Sequence, residues 1–102
     1  MHSQIKSSTV LEIGCGTGLF SGKFYQRTGA KIIATDLSPE LLNVAKEKYP
    51  AVEFVLADAM KLQFDANTFD VVFGSSVLHH LEFERSLNEI LRVLKPGYCM
   101  VS

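Results

Sequence analysis

Three glycines, Gly14, Gly16 and Gly18, fall within five residues in the stretch "EIGCGTG", and two acids follow at matched intervals. Asp36 lies 22 residues after Gly14, and Asp58 lies 22 after Asp36. Glycine loses the most conformational entropy on folding, so a cluster needs a reason. At a strand-to-helix turn the reason is close backbone approach to a ligand, with N–H groups exposed at the helix N-terminus for a carboxylate or a phosphate. The alternative is a plain tight turn. The spacing is G-x-G-x-G, whereas the dinucleotide fingerprint is G-x-G-x-x-G. Leu19 occupies the place of the third dinucleotide glycine, which predicts a helix held further from the sheet and argues against a pyrophosphate across the turn.

An acid at the position of Asp36 can take both hydroxyls of a ribose. Helix capping is the alternative, although Ser38 is the better cap. Asp58 could accept from an exocyclic amine of a purine, or it could form a turn. Glu12 sits inside an apolar run, where a carboxylate needs donors. It could hold the N–H groups of the glycine turn or meet a cationic part of a ligand. Cys15 reads as a small side chain in a tight turn rather than a nucleophile. His79 and His80, in "LHHL", are candidates for a general base because histidine titrates near neutrality. The competing reading is a turn histidine bonded to backbone. A metal site at this pair lacks a third ligand nearby, and no metal site is expected.

These residues must be held by elements that the sequence also marks. Apolar runs at Thr9–Ile13, Lys31–Thr35, "VEFVLAD", "DVVFGSS" and "YCMVS" read as strands. Helical spacing appears between them. One helix carries Leu19, Phe20, Phe24 and Thr28 and stops at Gly29. A second starts at Ser38-Pro39, carries Leu41, Val44, Ala45 and Lys48/Tyr49, and stops at Pro50. A third carries Leu87, Ile90, Leu91 and Leu94 and ends at Lys95-Pro96-Gly97. The connection "AMKLQFDANTF" has a turn at Asp65-Ala66-Asn67 and little helical signal, so it reads as a loop. Alternating strands and helices predict a three-layer α/β/α fold with a mainly parallel sheet. Ligands bind such sheets at the carboxyl ends of the strands, which places Gly14, Asp36, Asp58 and Gly74-Ser75 around one crevice.

The bulk properties narrow the partners. The chain has 102 residues, one domain's worth, with 47% hydrophobic and 21% charged residues and a formal net charge of −1. Its ten basic residues are scattered, so there is no nucleic-acid signature. Two distant cysteines, Cys15 and Cys99, fit a reducing, cytoplasmic setting. The first residues do not read as a signal peptide, and no apolar run approaches the ~20 residues of a transmembrane segment.

The segments "VLEIGCGTG", "ATDLSPELLNVAKEK", "VEFVLADAMKLQFDANTFDVVFGSSVLHHL" and "EILRVLKPG" together resemble the class I S-adenosylmethionine-dependent methyltransferases. They are most similar to the small-molecule branch that includes the ubiquinone and menaquinone C-methyltransferases. The resemblance runs from Val10 to Ser102 and implies a Rossmann-like sheet of order 3-2-1-4-5, truncated before the family's last two strands. It implies that residues 1–102 form a cofactor-binding core that transfers methyl groups to a small-molecule acceptor. It further implies that Gly14, Cys15, Gly16 and Gly18 hold the methionine end of the cofactor with Glu12 nearby, and that Asp36 takes the ribose. Leu37 would pack on adenine, Asp58 would take its amine, and Ala59 and Met60 would border the ring. The backbone at Gly74 and Ser75 would approach the methionine amine. Two other readings stand beside this one: a non-catalytic cofactor- or partner-binding module, and a nicotinamide-dependent oxidoreductase domain. An apolar fifth strand at the sheet edge predicts self-association.

Overall fold

Each of the five apolar runs becomes a strand in the computed structural model, which describes residues 8–74 and 83–101. The strands are β1 (Thr9–Ile13), β2 (Lys31–Asp36), β3 (Glu53–Leu56), β4 (Phe69–Gly74) and β5 (Leu94–Val101). They form one sheet in the order β3-β2-β1-β4-β5, and every pair is parallel. The helices are α1 (Leu19–Thr28), α2 (Pro39–Lys48) and α3 (Phe83–Val93). This is the expected order and the expected three layers.

Register puts the functional ends together. Ile13 pairs with Thr35 on one side and with Gly74 on the other, so β1, β2 and β4 finish level. Asp36 pairs with Leu56, which carries the same line to β3. The alternation of β1 splits the core. Leu11 and Ile13 face a layer closed by Ile90 and Val93 of α3, together with Phe69, Val72 and Leu62. Val10 faces the opposite layer, with Ile32, Ala34, Leu42, Ala45 and Phe54. Each large side chain fully buried there contributes about 2 kcal/mol of transfer free energy.

The caps follow the sequence. Ser38 accepts from the Leu41 N–H at 3.2 Å with Pro39 in the first turn of α2, and Gly29 ends α1 in the left-handed conformation. The connection from β3 to β4 has no helix, as expected, and Asn67 takes a positive φ of 57° in its turn.

The helix faces differ from the sequence reading. α1 buries Ser21 and Gly22, whereas Leu19 and Phe20 are 62% and 44% exposed. α2 buries Leu42 and Ala45, while Leu41 and Val44 face outward. α3 buries Ser86, Ile90 and Val93, and Leu91 is exposed. The physical reason is close approach. A Cβ on Gly22 would lie 2.4 Å from the Tyr49 ring, so α1 packs by its smallest residue. Ala45 sits 3.0 Å from where a Cβ on Gly18 would be, so α2 does the same.

The end of α3 also differs. Lys95, Pro96 and Gly97 were expected between helix and strand, but they lie within β5. Phe69 pairs with Leu94, and the next aligned pair is Val71 with Cys99. The extra residues are absorbed in that register shift, a place where a sheet tolerates proline.

Candidate functional site

The glycine turn leaves β1 with three left-handed residues, Gly14 at φ 78°, Gly16 at 58° and Gly18 at 85°. The N–H groups of Gly14 and Cys15 both donate to the Thr35 carbonyl at 2.9 Å, which pins the turn to the end of β2. The glycines are not equivalent. A Cβ on Gly16 would meet nothing within 4 Å, so that side of the turn is open. A Cβ on Gly18 would lie 2.8 Å from the Phe54 ring, so Gly18 serves packing as well as conformation. No side chain caps the N-terminus of α1 among the described residues, and its first turn holds no acid. A helix start of this kind suits an anionic group.

Leu19 does not space the helix from the sheet as expected, because it points away from the core. Asp36, rather than Leu19, disfavours a pyrophosphate here. Its Oδ2 accepts from the Gly16 N–H at 2.8 Å, so a carboxylate already occupies a turn donor that a phosphate would need. Its Oδ1 accepts from the Ser38 N–H at 3.0 Å. Asp36 thus ties the glycine turn to the start of α2, a partnership that neither the ribose reading nor the capping reading contained.

Glu12 is 6% exposed, and the Ser21 hydroxyl donates to its Oε1. Among the described residues it does not hold the turn N–H groups; Asp36 does. Burial pushes the Glu12 carboxyl above the usual range, the Ser21 hydrogen bond opposes this, and the nearby Asp36 charge adds to it. Burial also pushes the Cys15 thiol up to about 12, with Glu12 and Asp36 reinforcing it. A thiol so held stays protonated and inert at neutral pH.

Asp58 closes a tight turn: its Oδ1 accepts from the Met60 N–H at 2.9 Å and its carbonyl from the Lys61 N–H at 3.0 Å. Its turn-forming role is thus present, and its Oδ2 has no donor among the described residues.

A pocket with about 520 Å³ of open space lies between these elements. Gly14, Asp36, Leu37, Asp58, Ala59 and Met60, all singled out by the sequence, line it together. Leu37, 67% exposed, and Met60 offer apolar surface to a flat ring. Glu12, Cys15, Gly16 and Gly18 stand behind or beside the pocket rather than in its wall. Gly74 ends β4 level with Ile13 but does not line it. Ser75, His79 and His80 lie outside the described residues.

Three lining residues were missed: Ile13, Ala57 and Ser86. Ile13 and Ala57 directly precede Gly14 and Asp58, and strand alternation could have found them. Ser86 reaches the pocket only because α3 docks against it, and no sequence signal marked it. Among the described residues, two carboxylates and no lysine or arginine line this pocket. Such a wall favours a ligand with hydroxyl, amine or cationic groups over a phosphate. No group of three metal-binding side chains occurs among the described residues.

The chain's relatives fit this geometry. A methyltransferase domain matches residues 11–101. The demethylmenaquinone methyltransferase of Chlorobaculum tepidum is 40% identical over 91 residues, spanning 88% of this chain and 38% of that protein. The crystal structure of an S-adenosylmethionine-dependent methyltransferase from Mesorhizobium loti superposes with a TM-score of 0.82 at 28% identity, covering 92% of this chain and 45% of that one. A 4+2 cyclase, SpnF, superposes with a TM-score of 0.82 at 31% identity, covering 88% and 36%. The chain therefore spans less than half the length of these relatives.

Proposed function

The chain belongs to the methyltransferase-domain family, class I, and from that premise we propose that it binds S-adenosylmethionine and serves methyl transfer to a small-molecule acceptor. The observation that carries this reading is the pocket beginning at the glycine turn, whose wall holds Asp36 and Asp58 and, among the described residues, no basic side chain. When bound, the cofactor supplies a methyl group activated by its sulfonium charge. The residues of this chain then bind, orient and exclude water.

We assign the ribose hydroxyls to Asp36, which keeps acceptor capacity beside its two backbone donors. Leu37 would pack on the adenine with Met60 beside it, Asp58 Oδ2 would take its amine, and the Ala59 backbone would border the ring. The uncapped start of α1 would suit the methionine carboxylate. Glu12, behind the turn, would offer charge to the ammonium and sulfonium end once it has lost its proton. Gly74 and Ser75 complete that end from β4. Where an acceptor must lose a proton, His79 or His80 is our proposed base. Alignment of this kind can supply ~7–11 kcal/mol of the barrier.

Thermal shifts test the reading, because a ligand that binds only the folded chain raises its melting point. S-adenosylhomocysteine should stabilise the wild type and not Asp36→Ala. A shift with NADH and none with S-adenosylhomocysteine would transfer the pocket to a nicotinamide dinucleotide. The second reading, a cofactor-binding module without methyl transfer, draws on the cyclase neighbour. Product formation from labelled cofactor by a longer form of the protein separates the two.

Two further proposals concern setting and assembly. The unpaired spacing of Cys15 and Cys99 supports a reducing cytoplasm, and no helix among the described residues is long and apolar enough to cross a membrane. Among the described residues β5 lies at the edge of the sheet, which supports self-association through that edge. Sedimentation showing a monomer at high concentration would remove that assembly.

A further inference from the structure

The connection from β3 to β4 builds one wall of the pocket, through Ala57, Asp58, Ala59 and Met60, yet it has no helix of its own. A connection without a hydrogen-bond ladder holds its place only if something outside holds it. Here α3 does. The Leu62 N–H donates to Glu89 Oε1 at 2.7 Å. Arg92 Nη2 donates to the Leu62 carbonyl at 2.9 Å, and its Nη1 donates to the Phe64 carbonyl at 2.8 Å. The two side chains also bind each other, with Nε to Oε2 at 2.9 Å and Nη2 to Oε1 at 3.0 Å. Further along, the Asn67 and Thr68 N–H groups donate to the carbonyls of Arg92 and Val93 at 3.0 and 2.8 Å.

We propose that Glu89 and Arg92 form a positioning bracket that sets the Asp58–Met60 wall against the pocket and thereby governs which ring edge the pocket accepts. The inference rests on the nucleoside reading above. Leu62 is the last link, because the turn from Asp58 to Lys61 is closed by its own hydrogen bonds and ends one residue before it. Fixing both the N–H and the carbonyl of Leu62 therefore fixes the turn's position and tilt. A surface ion pair of this exposure contributes little as an ion pair. Its geometry is what matters: the guanidinium fork spans two carbonyls at once, which an ammonium cannot do. Arg92 first, and the Leu62 N–H as well, hold the Glu89 carboxyl below its ordinary range, so the bracket stays charged at neutral pH.

The test is calorimetric, on the full chain, with S-adenosylhomocysteine and S-inosylhomocysteine, whose purine carries oxygen in place of the 6-amine. The wild type should prefer the first. Arg92→Met keeps the apolar stem and removes the fork. It should shrink that preference about tenfold, one hydrogen bond's worth. Its discrimination against an analogue lacking the amino-acid carboxylate should stay as in the wild type. A merely structural role would loosen both ends together, and that result overturns the bracket. Glu89→Gln keeps an acceptor for Leu62 and releases Arg92; it carries the same expectation at about threefold if Arg92→Met does not fold. A folded variant that discriminates like the wild type overturns the bracket alone. A wild type that binds neither ligand overturns the nucleoside reading and the bracket with it.

Discussion

Two acids mark the two ends of this sheet, and their surroundings are opposite. At the amino end Asp70 accepts from the Thr9 N–H at 2.8 Å and lies 3.4 Å from Lys95 Nζ. The Thr9 hydrogen bond, with help from Lys95, holds its carboxyl below the ordinary range. Near the carboxyl end Glu12 is buried, receives the Ser21 hydroxyl and lies close to Asp36, and its carboxyl is pushed up. The chain twists through three left-handed glycines at the same end. The amino end is closed by complementary groups from β1, β4 and β5. The carboxyl end gathers Glu12, Asp36 and Asp58, which among the described residues accept from hydroxyl and backbone N–H donors rather than from cations. On our reading, a ligand with a cationic end supplies what that end lacks.

The largest test of this contrast is Asp36→Ala. It removes the acceptor for both Gly16 and Ser38 and, on our reading, the ribose partner. S-adenosylhomocysteine affinity should fall about 100-fold by calorimetry, near 3 kcal/mol. Unchanged affinity would mean that the acids of the carboxyl end do not serve the ligand.

Next is Gly22→Ala, which should destabilise by about 2 kcal/mol in urea titration, because the new methyl runs into Tyr49. Ligand affinity of the folded variant should hold. A loss of affinity instead would show that the packing of α1 and the ligand end are one unit.

Glu12→Gln sharpens the contrast through pH. The folded pKa lies above the unfolded one, so the folded chain keeps a proton that the unfolded chain has lost. The stability this contributes is full below the unfolded pKa and is lost as pH rises toward the folded value. Glutamine can still accept from Ser21 and has no such loss. The variant should melt about 4 °C above the wild type at neutral pH, with the gap closing in acid. In return, the wild type's preference for S-adenosylmethionine over S-adenosylhomocysteine should grow with pH, and that of the variant should not.

Smallest is Asp70→Asn. The depressed pKa means that its contribution is present above the unfolded pKa and is lost as pH falls through the folded one. About 0.5 kcal/mol should disappear at neutral pH, given its solvent screening, and nothing in strong acid. An equal loss in acid would mean that Asp70 acts by shape rather than charge.

The sequence by itself determined the strands, their likeness to a known sheet order, the glycine turn and the acids at the ends of β2 and β3. Those features are local: a positive φ needs glycine, strand faces alternate with period two, and caps sit within a few residues. Tertiary structure decided the rest. Leu41, Leu42, Val44 and Ala45 spread over nearly half the circumference of α2, so periodicity left its rotation open, and contact with Gly18 and Phe54 chose the face. The Lys95-Pro96-Gly97 segment read as a helix stop, and only pairing with β4 made it part of a strand. The acceptor for Gly16 and the hold of Arg92 on Leu62 and Phe64 join residues 20 to 30 positions apart. Such partnerships have no local signal, because the hydrogen bond that selects them exists only once the elements have packed.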